Sequence, residues 1–215
     1  MNKGRASVLP EITLRGIVMS MQGPLATSRS ATGIPTGRLA VWWLLASEIF
    51  IFGGLIACYI LYRLNNPWWG GEAVFTKVPA GAFNTFVLLT SSLFIVLAHD
   101  AAEKKDFDRA FKFIWYTIGG GLVFLLVKYY EYSSKLFTDD PELLKTPLTN
   151  TYWSFYYTAT GLHALHVIGG MVIMALISFD LRKGFNPHRV ELIGLYWHFV
   201  DIVWIFLFPL LYIAK

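Results

Sequence analysis

Five long apolar runs leave this chain few ways to fold: Leu39 to Tyr62, Ala82 to Ala98, Phe113 to Tyr132, Phe155 to Phe179 and Glu191 to Ala214. A helix needs about 20 mainly apolar residues to cross roughly 30 Å of hydrocarbon. In that medium each backbone N–H and C=O must be satisfied within the segment, which selects helices. The expected fold is therefore all-α, a polytopic membrane helix bundle with five transmembrane helices. Charge supports this, because only 15% of the 215 residues are Asp, Glu, Lys or Arg, against roughly 25% in soluble proteins. So few charges cannot cover a water-soluble globule of this size, and no nucleic-acid partner is expected.

The breaks between runs carry turn and charge chemistry: Asn65, Asn66 and Pro67; the charged stretch His99 to Arg109; Asp139, Asp140, Pro141 and Pro147; and Arg182 to Pro187. Trp68, Trp69, Trp153, Tyr156, Tyr157, Trp197 and Tyr212 fall near run ends, where amphipathic rings favour the headgroup layer. The single cysteine, Cys58, has no partner for an internal disulfide and reads as a small apolar helix residue.

Residues 1–38 read as a polar basic N-terminal tail and residues 39–215 as the five-helix domain. The stretch Ile12 to Met21 is too short to span and is broken by Arg15 and Gly16. Lys and Arg divide unevenly between the two sides. One side has Lys3, Arg5, Arg15, Arg29 and Arg38, then Lys104, Lys105, Arg109 and Lys112, then Arg182, Lys183 and Arg189. The other has only Arg63, Lys77, Lys128, Lys135, Lys145 and Lys215. Positive charge stays inside, so the N-terminus is expected in the cytoplasm and the C-terminus in the periplasm.

An ionisable group in hydrocarbon costs roughly 2.5 to 3.5 kcal/mol and asks for a partner or a function. Glu48 lies mid-span, with Ile51, Phe52, Leu55 and Tyr59 as helical neighbours, and is expected to be neutral or paired across helices, with a proton or lipid role as the functional alternative. Asn84 and Ser91, and in parallel Thr85, Ser92 and His99, recur at heptad spacing and form a polar seam that reads as packing glue. Lys128 and Glu131, three apart on a helix, are within reach of an ion pair. Gly119, Gly120 and Gly121 permit close backbone approach.

The fourth run holds His163 and His166, and the fifth holds Glu191, His198 and Asp201 on one stripe with Trp204 beyond. His166 and His198 fall at similar depth, so a metal or haem between them is sterically conceivable. His198 followed by Asp201 is equally how a buried imidazole acquires a carboxylate partner without a cofactor. The structural polar network expected is His163, His166, His198, Asp201, Lys128 and Glu131, with no metal site and no catalytic residue.

Several segments, in order, resemble subunit III of haem-copper cytochrome c oxidases. They are Ala46-Ser-Glu-Ile-Phe-Ile-Phe around Glu48; Asn84-Thr-Phe-Val-Leu-Leu-Thr-Ser-Ser with Ala98-His99; Glu131-Tyr132; Ala159-Thr-Gly-Leu-His-Ala-Leu-His-Val-Ile-Gly-Gly; and Tyr196-Trp-His-Phe-Val-Asp-Ile-Val-Trp-Ile. The resemblance covers about Leu39 to Lys215, is to the short bacterial form with five helices, and leaves the tail unexplained. The long form has two further helices that make one arm of a lipid-holding cleft, so its lipid sites do not carry over whole. Lys128 stands where many members have Gln.

The resemblance implies a non-catalytic core subunit of a proton-translocating terminal oxidase in aerobic respiratory electron transport, in the bacterial inner membrane. It implies no cofactor in this chain, haem and copper in partner subunits, bound phospholipid, and contact with oxidase subunits I and II, with a larger respiratory supercomplex left open. Holding lipid and supporting proton uptake and turnover stability are the implied roles, with Glu48 as the membrane carboxyl. Subunit III of a quinol oxidase or an accessory subunit of a nitric oxide reductase would look similar, so the electron donor stays open. A b-type haem cytochrome built on His166 and His198 is the alternative from another class. The acidic Asp100, Glu103, Asp106 and Asp108 alternate with Lys104, Lys105 and Arg109, which favours a solvated loop over a proton-collecting surface.

Overall fold

The computed structural model describes residues 36–66, 68–138, 144–182 and 188–214. The expectations for the tail before residue 36, for Pro67, for Asp139, Asp140 and Pro141, and for Lys183 to Pro187 and Lys215 lie outside the described residues. The chain divides into two units, Met1–Trp43 and Leu44–Lys215. In the first, the described part is the start of a helix on which Trp42 and Trp43 are exposed.

Five helices are long and apolar enough to cross a membrane. They are α1 (Thr36–Asn65), α2 (Val78–Glu103), α3 (Phe107–Leu136), α4 (Thr151–Arg182) and α5 (His188–Phe208), the last continuing as a π-helical turn, Pro209–Ile213. One helical turn, Trp69–Glu72, and a 3₁₀ turn, Ala73–Phe75, lie between α1 and α2. No strand occurs among the described residues. The helices overrun the apolar runs at nearly every end, because the backbone ladder continues through the headgroup layer, where charged and hydroxyl side chains are tolerated.

The ends have local causes. After α2, Lys105 takes φ 60°, and the Asp106 amide donates back to the Ala101 carbonyl at 2.9 Å. Asp106 then caps α3 by accepting from the Arg109 amide at 3.2 Å. This tight reversal makes α2 and α3 antiparallel neighbours. Asn150 caps α4 in the same way, accepting from the Trp153 amide at 3.1 Å. Pro209, which has no N–H to continue the ladder, starts the π turn, closed by the Ala214 amide on the Pro209 carbonyl at 2.9 Å.

Helices α2 to α5 form a closed ring of packed neighbours: α2 on α3, α3 on α4, α4 on α5 and α5 on α2. Small residues set the closest approaches. A Cβ on Gly120 would stand 2.7 Å from the Ser91 Cβ of α2, and one on Gly121 would meet Met171 and Trp197. Gly119 faces open space and serves no such contact. Helix α5 is the most enclosed, with 50% of its most apolar stretch buried against 17% for α1. Helix α1 packs less closely and through long side chains. The Tyr59 hydroxyl donates to the Leu210 carbonyl at 3.0 Å, Arg63 donates to the Ala214 carbonyl at 3.2 Å, and the Tyr59 ring meets Phe155 edge-on.

The expected aromatic belt is corrected in part. Trp68 is half exposed, but Trp153, Tyr156, Trp197 and Tyr212 are fully buried. Each of these rings has one polar atom, and in this bundle that atom finds its partner on a neighbouring helix or segment rather than in the headgroups.

Candidate functional site

The polar residues inside the bundle fall into three groups. The first joins α1 to α4. Glu48 is buried and its Oε2 lies 2.9 Å from Nε2 of His166. The approach is off-axis, so Oε2 makes a close electrostatic contact rather than an aligned hydrogen bond. Nδ1 of His166 lies 2.8 Å from the Leu162 carbonyl, which can only accept, so Nδ1 holds a proton and Nε2 faces Glu48. Phe52 closes over the imidazole edge-on, and Tyr196 donates to the His166 carbonyl at 3.2 Å. Glu48 thus faces a partner on another helix, which was one of the two expectations for it.

The second group sits between α3, α4 and the π turn. Lys128 spends all three ammonium donors, on Glu131 at 3.0 Å, Tyr156 at 3.1 Å and Tyr212 at 2.7 Å. Glu131 receives Tyr212 at 2.8 Å on the same oxygen as Lys128 and Lys135 at 3.2 Å on the other. Since a lysine only donates, the directions are fixed. Tyr212 gives its proton to Glu131, while Tyr156 donates to Tyr212 at 3.0 Å and accepts from both lysines. The rings of Tyr132, Tyr156, Trp204 and Tyr212 lie within 4.9 to 5.6 Å of the Lys128 ammonium, and such faces attract a desolvated cation.

The spacing of Lys128 and Glu131 led to this pair, but Lys135, Tyr156 and Tyr212 were missed. Lys135 was legible, lying four residues after Glu131. The tyrosines were not, because residues 28 and 84 positions from Lys128 become its partners only when α4 and the π turn after α5 close on α3.

The third group lies along α2 and α5. The seam of α2 serves α5 and α3. Trp204 donates to Thr85 at 3.0 Å, Trp197 donates to Ser91 at 3.1 Å, and Thr117 donates to the Ser91 carbonyl at 3.3 Å. Asn84 reaches the Phe124 carbonyl at 3.5 Å. His198 does not pair with Asp201 as its spacing suggested: its Nδ1 lies 2.5 Å from the Ser92 hydroxyl. The Asp201 carboxyl is buried and neither oxygen makes a hydrogen bond, with Ser92 as its polar neighbour. Both side chains face Ser92 of α2, and the hydroxyl takes the imidazole rather than the carboxyl. His163, fully buried, has no hydrogen bond on either nitrogen and lies among the Phe124 and Trp204 rings at 5.3 and 5.2 Å.

The structure therefore brings Glu48 to His166, Lys128 to Glu131, and His198 to Ser92, and it leaves His163 and Asp201 outside those pairs. His166 and His198 are engaged by different protein groups. Among the described residues, no three or more His, Cys, Asp or Glu side chains are grouped to hold a metal ion.

These features define a five-span helical membrane protein whose intramembrane polar groups mostly serve one another. The family model for cytochrome c oxidase subunit III matches residues 19–215, reaching further towards the N-terminus than Leu39. Among curated proteins, the chain is 38% identical to cytochrome c oxidase subunit 3 of Thermostichus vulcanus, over 79% of this chain and 83% of that one. It is 33% identical to cytochrome c oxidase subunit 3 of Corynebacterium diphtheriae, over 80% and 84% of the respective chains. It is also 31% identical to heme-copper oxidase subunit I+III of Aeropyrum pernix, over 82% of this chain and 22% of that longer one. The chain belongs to the cytochrome c oxidase subunit III family.

Proposed function

We propose that this chain is a supporting subunit of a cytochrome c oxidase that packs on subunit I, holds phospholipid against its exposed apolar faces, sustains proton uptake and contains no redox centre. The observation that carries this reading is the state of the two histidines best placed on separate helices for a haem. Both ring nitrogens of His166 face protein groups, Nδ1 the Leu162 carbonyl and Nε2 Glu48, so it has none left for an iron shared with His198, whose Nδ1 is held by Ser92. The relative from Aeropyrum pernix is named as a fusion of subunits I and III, which supports contact with subunit I. Long exposed apolar faces, such as Phe86, Leu89, Leu93 and Val96 on α2, support surrounding lipid. The Lys and Arg distribution supports a bacterial inner-membrane orientation with the N-terminus in the cytoplasm.

The test is optical and metal analysis of the chain purified within its complex and alone. The expected result is haem and copper with the large subunits, including the two-copper electron-entry centre of a cytochrome c oxidase, and a colourless isolated chain. A haem band in the isolated chain overturns the reading. His198→Ala is expected to weaken retention of this subunit without altering the haem spectrum of the complex that forms.

A further inference from the structure

Near the end of the bundle marked by the α2–α3 turn, a cleft of about 220 Å³ opens between α2 and α5, lined by Ile95, Val96 and His99 on one side and by Glu191, Leu195 and His198 on the other. Its apolar walls explain neither the three titratable side chains facing it nor the groups behind them. His99 is in the last turns of α2, with Nε2 3.6 Å from Glu103 and Nδ1 buried without a hydrogen bond. Glu191 opens α5, with His188 at 2.9 Å. About two helical turns deeper, His198 lines the cleft and gives Nδ1 to Ser92, which leaves Nε2 as its other exchangeable position. Behind Ser92 lies Asp201, a buried carboxyl with no hydrogen bond on either oxygen.

Buried polar atoms without partners are rare, and each needs an explanation such as an ordered water or a chemical role. Here they stand in a row with a cleft that has room for several waters, at roughly 30 Å³ each. We infer that the cleft is hydrated and that His99, Glu191, His198 and Ser92 form a proton relay by which Asp201 exchanges protons with the α2–α3 side of the membrane. A proton entering from bulk water crosses the cleft to Nε2 of His198. The Nδ1 proton passes to the Ser92 oxygen, and the Ser92 hydroxyl proton passes to the Asp201 carboxylate. The net change is one proton from water to Asp201, and the return path releases it.

Among the described residues, the charged groups around this route are few. From α2 they are His99 and Glu103, and from α5 His188 and Glu191, while Asp100 pairs outward with Lys104. Helix α4 turns His163 into the Trp204 and Phe124 rings. Helix α3 commits Lys128 to Glu131 and the two tyrosines. Among the described residues neither helix supplies a counter-charge to Asp201, and the relay ends on it as a proton-storing group.

Infrared difference spectroscopy on the whole oxidase complex tests this. The protonated-carboxyl band of Asp201 is identified by its loss in Asp201→Asn, and its shift is then followed after rapid mixing into heavy water. Wild-type complex is expected to show a band that shifts quickly. Gly194→Leu fills the cleft, since a Cβ there already sits 3.7 Å from Ile95, and leaves every relay side chain in place. It is expected to keep the band and slow its exchange about a hundredfold, as is His198→Phe. No exchanging Asp201 band at any pH in wild type overturns the proposal. An unchanged rate in Gly194→Leu overturns it as well, even where His198→Phe fails to assemble.

Discussion

The buried groups around Glu131 and those around Asp201 both place carboxyls inside a lipid-facing bundle, yet they are built in opposite ways. Glu131 is saturated: two lysines and a tyrosine donate to it, and aromatic faces enclose the cations. Asp201 receives no hydrogen bond, and the Ser92 beside it holds His198 at an open cleft. A group whose valences are all spent can fasten helices and do little else. A group with valences unspent, beside space for water, is free to change state. The difference separates a staple from a site of exchange within one helix bundle.

The sharpest way to break this comparison is Glu131→Gln, which strands Lys128 and Lys135 without a counter-charge. It is expected to destabilise the subunit by about 3 to 5 kcal/mol, read as loss of this chain from the detergent-solubilised complex on heating. A much smaller loss would mean the Glu131 cluster is not a staple.

Tyr212→Phe removes only the hydroxyl that donates to Glu131 and accepts from Lys128, and an effect of about 2 kcal/mol in the same assay is expected. Asp201→Asn keeps the shape of a group that has no partner to lose, so about 1 kcal/mol or less is expected. Parity with Glu131→Gln would erase the contrast. His163→Phe is smallest, within about 1 kcal/mol of wild type and on the stabilising side, because it replaces two unsatisfied nitrogens by carbon in an aromatic nest. A large loss there would reveal a hydrogen bond that the geometry lacks.

Much of the architecture was legible before any coordinates. Apolar runs of spanning length gave five helices, because hydrocarbon permits no other backbone solution. The Lys128–Glu131 pair followed from helical spacing, and the Gly120 and Gly121 contacts followed from residue size. The histidines were harder. His198 and Asp201 share a stripe, and the natural expectation of a mutual pair failed because Ser92, 106 residues away, reaches the imidazole first. Tyr156 and Tyr212 resembled interfacial belt residues, since nothing local distinguishes a ring in the headgroups from one buried against a lysine on another helix.

The sequence by itself determined the all-helical class, the number of spans, the resemblance to subunit III and the residues able to form ion pairs within one helix, because these depend on residue order and spacing along individual segments. Only the tertiary structure decided which polar groups were satisfied. It joined Glu48 to His166, gave Glu131 a second lysine and a tyrosine, and left Asp201 without a hydrogen bond behind the Ser92–His198 contact. Satisfaction of a buried group depends on atoms brought within about 3 Å from other helices, and that distance is set by how the helices pack.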